Sequence, residues 1–276
     1  MVPKPKVVLI TGCSSGIGRA LSIALHERGC RVAATARTLA DIEDLERMDM
    51  ATHCLDVTDP DQGAQVIDAV IAQEGGIDIL INNAGYALIG PAIELPRDEL
   101  IRQLDTNVVA PMTLAAQAAR TMKEKGSGMI VNIGSISGIT PTPFSGAYCA
   151  SKAALHALSD ALRMELTGFG IHVMTVQPGA IRSDFGNAAG KTIARVLKDT
   201  SWYLPMKAAI EARANASQKD ATPTDVFASA LADHILSDEP DAVVRLGKMS
   251  AMIPMMKKWL PTKILDRILK KKFGLA

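Results

Sequence analysis

The chain has 276 residues, 48% of them hydrophobic and 21% charged. This balance excludes a disordered protein, a collagen and a disulfide scaffold, and it suits one large domain or two small ones. Thirty basic residues against 29 acidic ones leave a net charge of +1, so no nucleic-acid partner is expected. The cysteines Cys13, Cys30, Cys54 and Cys149 form no CxxC pair. No metal is therefore expected, and the thiols read as reduced groups in a cytosolic protein.

Two lysines precede the run Val7-Val8-Leu9-Ile10, which is too short for a signal-peptide core. No stretch approaches 18 apolar residues, so no spanning helix is expected. Short β-branched runs predict strands over 6–11, 31–36, 52–55, 77–81, 129–135 and 171–177. Helical patterns fall between them, over 18–28, 61–73, 98–123 and 147–168. Buried strands alternating with helices predict an α/β fold, a Rossmann-like doubly wound parallel sheet with helices on both faces.

Beyond Pro178-Gly179 the pattern changes. Residues 181–222 show no clean strand; then a helix is predicted over 223–237 and a last strand over 242–246. Ligands in open α/β sheets sit beyond the carboxyl ends of the strands. The irregular segment is thus either a substrate lid or a surface excursion. Its Phe185, Trp202, Tyr203, Leu204 and Met206 would be costly to leave in water, which favours the lid. Residues 1–247 read as one domain and 248–276 as a tail. That tail holds eight Lys/Arg and one acid, Asp266, a net +7, whereas the other residues hold 22 basic and 28 acidic groups, a net −6.

The first strand runs into Thr11-Gly12-Cys13-Ser14-Ser15-Gly16-Ile17-Gly18, and a helix follows. Glycines permit a tight turn, and the amides of a helix N-terminus attract a pyrophosphate. The spacing differs from the commoner G-x-G-xx-G dinucleotide fingerprint. An NAD site wants an acid about 20 residues on, for the ribose 2′-hydroxyl. Here the second strand ends in Ala36 with Arg37 beyond it. A guanidinium binds a 2′-phosphate that a carboxylate would repel, so the expected cofactor is NADP(H), with a solvated Arg37 as the alternative. Asp56, followed by Val57, is placed to accept from the adenine amine or to serve its own turn with Thr58-Asp59-Pro60. Asn82-Asn83-Ala84-Gly85 closes the fourth strand with small residues.

A Tyr-xxx-Lys pair sets phenol and ammonium on one helix face, where the cation is expected to lower the phenol pKa from about 10. The pattern occurs twice, at Tyr148…Lys152 and Tyr203…Lys207. Pro205 disrupts the second, so Tyr148 is the candidate proton donor/acceptor and Tyr203 a lid residue. Ser135, thirteen residues before Tyr148, is placed to orient a substrate oxygen or to cap the strand end. Asn107 is placed to hold a water between Lys152 and solvent, or to kink its helix. After Pro178-Gly179, the Ile181 amide and Ser183 hydroxyl suit a nicotinamide carboxamide.

Taken together, the glycine turn, Asn82-Asn83-Ala84-Gly85, Asn107, Ser135, Tyr148-xxx-Lys152 and Pro178-Gly179 resemble a classical short-chain dehydrogenase/reductase over residues 6–246. The resemblance implies a seven-stranded sheet and hydride transfer between a nicotinamide cofactor and a carbonyl or alcohol. It assigns the acid/base to Tyr148, its charge partner to Lys152, substrate orientation to Ser135 and the relay water to Asn107. It implies dimers or tetramers through the helices near 107–123 and 148–168, which the tail could block or extend. The 12–18 turn, the 160–166 helix and the 259–269 tail are similar to those of NADP-dependent aldehyde reductases and of reductases acting on acyl-dihydroxyacetone phosphate, retinoids or steroids. A hydrophobic carbonyl or alcohol substrate follows, with Ser135, Phe185, Trp202 and Tyr203 facing it. A silent nucleotide sensor and a lipid-surface scaffold are the other readings. In the tail, Trp259, Leu260, Ile264, Leu265, Ile268, Leu269 and Phe273 recur among Lys263, Arg267 and Lys270–Lys272 at helical spacing. Such a helix suits a peripheral contact with anionic lipid or packs over the pocket or a second subunit.

Overall fold

The computed structural model describes residues 4–275; Met1–Pro3, part of the segment weighed as a leader, and Ala276, the last tail residue, lie outside them. Seven strands form one sheet: β1 (Val7–Ile10), β2 (Arg31–Ala36), β3 (Ala51–Cys54), β4 (Ile79–Asn82), β5 (Gly128–Ile133), β6 (Ile171–Val176) and β7 (Val243–Val244). All six pairings are parallel, in the order β3-β2-β1-β4-β5-β6-β7. The order reverses direction between β1 and β4, which opens a crevice beyond their carboxyl ends.

β1 reads VVLI and is buried throughout. Alternate side chains point to opposite faces, so Val8 and Ile10 enter one apolar cluster while Val7 and Leu9 enter another. The first face is covered by α1 (Gly16–Glu27), the short α2 (Glu43–Glu46) and α9 (Thr224–Ile235), through Leu21, Leu25, Leu45, Phe227 and Leu231. The second is covered by α3 (Pro60–Glu74) and α5 (Ala110–Lys125), through Val66, Val70, Leu114 and Ala118. Local chemistry sets the ends of α3: the Asp59 carboxylate caps the Asp61 and Gln62 amides, Pro60 opens the first turn and Gly75 closes the helix at φ 82°.

Two predicted elements need correction. The helix expected over 98–123 is two helices, α4 (Arg97–Leu104) and α5, joined by a π turn at Asp105–Val109. Pro111 causes the break, because it has no N–H for the Asn107 carbonyl four residues back. Residues 181–222, expected to be irregular, carry α7 (Phe185–Val196), a 3-10 turn at Leu204–Met206 and α8 (Lys207–Ala214). Gly186, Gly190 and Thr192 are weak helix formers and hid α7. It is held from outside: the buried Glu99 of α4 pairs with Arg195 at 3.2 Å, and the Thr192 hydroxyl accepts from the Ile89 amide at 3.0 Å.

α6 (Gly146–Leu166) packs beside β6, and the tail forms α10 (Met252–Trp259) and α11 (Thr262–Lys272). Among the described residues, no helix is long and apolar enough to cross a membrane, and no His, Cys, Asp or Glu cluster suits a metal ion. The four thiols are free, with Cys54 alone exposed.

Candidate active site

A cleft of about 1580 Å³ lies beyond the carboxyl ends of the strands. At its first wall, Gly12 and Gly16 take φ 73° and 58°, the left-handed region that favours glycine. A Cβ on Gly12 would come within 2.9 Å of the Ala84 Cα. The Thr11 hydroxyl accepts from the Asn83 and Ala84 amides, and the Asn83 side chain donates to the Thr11 and Gly12 carbonyls at 2.8 and 3.0 Å. The turns after β1 and β4 are thereby locked together. Gly12, Ser14, Ser15, Gly16 and Ile17 line the cleft opposite Asn83, Ala84 and Gly85. Gly18 does not; it is buried, and a Cβ there would fall 2.3 Å from the Gly12 carbonyl oxygen. Its part is to let α1 close on the turn. Ser15 occupies the helix N-cap without a side-chain cap bond, leaving its hydroxyl and the first amides of α1 at the cleft.

Beyond β2 and β3, Arg37, Asp56 and Val57 line the same wall. Arg37 is exposed and sits in no ion pair among the described residues. Of the two roles weighed for Asp56, the structure shows the turn. It lines the cleft, and its carboxylate accepts from the Thr58 amide and hydroxyl at 3.0 and 2.7 Å. Those Thr58 hydrogen bonds, with Arg37 nearby, hold its pKa below the usual carboxylate value. Pro178, Gly179, Ile181 and Ser183 follow β6 along the cleft. The Ile181 amide has no protein acceptor among the described residues.

The deepest part joins Ser135, Tyr148 and Lys152. α6 places Tyr148 and Lys152 one turn apart, both buried. The Lys152 ammonium donates to the Ile133 carbonyl at 2.6 Å, which fixes it under the end of β5. The expected lowering of the phenol does not occur in the protein alone. Burial pushes Tyr148 up to about 12 against the pull of the Ser135 hydroxyl, and burial takes Lys152 down to about 8. Burial disfavours the charged form of each group, which raises a phenol and lowers an ammonium. At neutral pH the pair is a neutral phenol beside an ammonium.

Asn107 is buried and does not line the cleft. Its side chain donates to the Tyr86 carbonyl and the Ser151 hydroxyl, both at 3.0 Å, and accepts from the Tyr86 amide at 3.2 Å. His156, four residues past Lys152, is a partner that spacing did not single out. Its Nε2 accepts from the Ser135 amide at 3.3 Å. Burial and the Lys152 charge push it down to about 4, so it stays neutral. A Cβ on Gly134 or Gly138 would meet the imidazole at 2.3 or 2.7 Å. Those two glycines bracketing a serine were the available signal.

At the far end α7, α8 and the tail form the wall. Phe185 lines it, with its ring 5.7 Å from that of Tyr148. Two expected substrate residues are misplaced. Trp202 is 81% exposed and away from the cleft, because Glu94 binds the Ser201 hydroxyl and the Trp202 amide and turns the indole outward. Tyr203 packs edge-on against Phe144 with ring centroids 6.1 Å apart, behind the cleft wall. The tail divides by face. Leu265 and Phe273 are buried, and Phe273 and Lys272 line the cleft, whereas Met252, Met255, Trp259, Ile264 and Ile268 are exposed.

This arrangement of turn, tyrosine and lysine has relatives. The family model for short chain dehydrogenases matches residues 6–194. The chain is 31% identical over 273 residues to short-chain dehydrogenase srdE of Neurospora crassa, covering 98% of this chain and 93% of that one. It is 35% identical over 220 residues to an NADPH-dependent 1-acyldihydroxyacetone phosphate reductase of Schizosaccharomyces pombe, covering 79% and 74%. Among solved structures, a short-chain dehydrogenase from Streptomyces avermitilis superposes with a TM-score of 0.80 at 30% identity, over 98% of this chain and 96% of the other. The chain is an oxidoreductase and belongs to the short chain dehydrogenase family.

Proposed function

We propose that the protein interconverts a hydrophobic aldehyde or ketone and its alcohol with NADP(H), using Tyr148 as acid and base. The observation that carries this reading is the convergence of Tyr148, Lys152 and Ser135 on the cleft that also holds the glycine turn and Arg37. The residues fit the dinucleotide. The turn leaves no room for a Cβ at Gly12, and α1 offers unpaired amides to a pyrophosphate. The strand end that would carry a carboxylate for NAD carries Ala36 and then Arg37. The NADPH dependence of the fission-yeast relative agrees.

When bound, the reduced nicotinamide supplies a hydride. The neutral Tyr148 phenol then donates its proton to the substrate oxygen, and Ser135 orients that oxygen. The Lys152 ammonium, held by the Ile133 carbonyl, stabilises the phenolate that results. The Asn107 side chain is fully engaged, so it acts as a positioning residue. Pro111 denies the Asn107 backbone carbonyl an α-helical donor, and that oxygen is the group that would hold a relay water. The test is NADPH oxidation across aliphatic aldehydes, ketosteroids and acyl ketones. Tyr148→Phe should lower the rate by about 10² to 10⁴ while fluorescence titration still shows NADPH bound. Wild-type activity in that variant would overturn the assignment.

The tail supports a second element of the reading, that the enzyme works against anionic lipid. Met255, Trp259, Ile264 and Ile268 face outward beside Lys257, Lys258, Lys263 and Arg267, also exposed. An apolar stripe with flanking cations is what an interfacial helix presents.

A further inference from the structure

Arg213, on α8, is an unexplained charge at the substrate end of the cleft. It is half-buried, and its Nε donates to the Thr142 hydroxyl at 2.8 Å and its Nη2 to the Ser145 hydroxyl at 2.9 Å. Its guanidinium lies 5.7 Å from the Phe273 ring centroid. It makes no ion pair among the described residues, in contrast to Arg28 and Arg195, each of which meets a carboxylate. Two neutral hydroxyls orient the group without neutralising it, and Nη1 is left unbonded by any described residue. A guanidinium drawn out of water without a counter-charge is costly; burial accordingly pushes its pKa down.

Its location decides what the missing charge is. Arg213 lines the cleft with Thr142, Tyr148, Phe185 and Phe273. Ser145, which holds it, is three residues before Tyr148, at the N-cap of α6. The cation is close enough to Tyr148 to pull the phenol pKa down against burial. Phe185 packs near the Tyr148 ring and Phe273 near the Arg213 guanidinium, and both line the cleft. Lys272 adds a second cation at the rim. The pyrophosphate end lies at the opposite wall, against α1, so this cation is not part of the nucleotide cradle.

We propose that Arg213 anchors an anion subsite, so that the preferred substrate is an apolar carbonyl compound carrying a carboxylate or phosphate. This rests on the oxidoreductase reading above and names the substrate class of that same site. A guanidinium with one free nitrogen gives a charge-assisted hydrogen bond to either oxyanion, stronger than a neutral one.

The experiment compares a homologous series of ω-oxo carboxylic acids with their methyl esters, and ω-oxoalkyl phosphates with the parent hydroxyaldehydes, by NADPH oxidation. The wild type should prefer at least one anionic series over its neutral counterpart by about 10- to 100-fold in kcat/KM, mostly through KM. Whichever series shows it identifies the oxyanion. In Arg213→Gln that preference should collapse toward unity. A purely structural arginine would scale anion and ester alike, leaving the ratio intact, and that result overturns the proposal. Equal use of acid and ester by the wild type overturns it too, with no variant needed should Arg213→Gln not fold. If no aldehyde turns over, the proposed carbonyl substrate is what fails. Calorimetry with the saturated carboxylates against their amides then reads the subsite alone, and equal binding of the two ends it.

Discussion

The two ends of the cleft are built from different materials. At the nucleotide end the chain touches itself through backbone: Gly12 against Ala84, Gly18 against the Gly12 carbonyl, and Asn83 stitching both turns. At the substrate end the wall is side chains, Phe185 of α7, Arg213 of α8 and Phe273 beyond α11, each from a separate segment. Backbone contacts leave no tolerance for an added atom, whereas side-chain walls exchange residues at the cost of changed shape. The first end suits one invariant ligand part and the second a substrate that differs between proteins.

The largest expected effect tests that contrast with paired glycine substitutions. Gly18→Val puts branched carbon into a position 2.3 Å from a carbonyl oxygen that belongs to the turn itself. Nothing flexible can give way, so NADPH affinity should fall at least ~100-fold, with destabilisation beyond ~2 kcal/mol from overpacking. Gly190 lies in α7, and a Cβ added there would meet no atom within 4 Å. Gly190→Ala should therefore stabilise by up to about 1 kcal/mol. Thermal melts and NADPH titrations of the two variants check the pair, and a tolerated Gly18→Val would break the comparison.

Lys152 sits where the ends meet and should show opposite effects on activity and stability. Lys152→Met should cut turnover by about 10² or more yet raise the melting temperature near neutral pH, because an ammonium buried without a carboxylate is replaced by an apolar chain. The pH dependence has a definite sign. Folding takes the Lys152 pKa from 10.5 to about 8. Between those values the unfolded chain binds more protons than the folded one, so this residue makes stability rise with pH across that window. Denaturation at stepped pH should show that rise reduced in Lys152→Met. Reductive kcat/KM should fall as pH climbs through about 8 and the ammonium is lost.

A smaller effect is expected from Arg37→Glu, which changes a rim charge without disturbing the turn. The carboxylate repels a 2′-phosphate and accepts from a 2′-hydroxyl. The ratio of kcat/KM for NADPH over NADH should drop by about 10- to 100-fold. An unchanged ratio would remove Arg37 from the nucleotide site.

How much of the molecule is legible in its sequence follows the same division. β1 is a continuous apolar run, and β2 and β6 are mostly apolar, broken by Arg31 and Thr35 and by His172 and Thr175, which is how doubly covered strands read. The turn at 12–18 and the Tyr148…Lys152 pair are local spacings, so sequence carries their geometry directly. The substrate wall is assembled from residues far apart in the chain; no local pattern marks Arg213, and the signal for His156 lies about twenty residues away, in Gly134 and Gly138. An aromatic residue near the cleft says nothing about which way it faces: Phe185 turns in, Trp202 turns out because Glu94 holds its backbone, and Tyr203 stands behind Phe144. The pKa of Tyr148 departs from expectation for a related reason. Charge spacing can be read from sequence, but the burial that outweighs it cannot.

The smallest effect concerns the outer face of the tail. Deleting 248–276 would not isolate it, since Leu265 and Phe273 are buried and Phe273 walls the cleft. Removing them would strip the substrate end along with the surface. Ile264→Ser with Ile268→Ser changes only residues 44% and 40% exposed, leaving Leu265 inward. The intact protein should sediment with vesicles containing phosphatidylserine and stay in solution with neutral ones, since each basic residue near an anionic surface contributes about 1 kcal/mol. The double variant should lose part of that binding, by roughly 10-fold if the side chains enter the interface, and raising salt should weaken the rest. Equal sedimentation with neutral vesicles, or none with either, would leave the tail as a wall of the cleft whose lysines serve only the solvent.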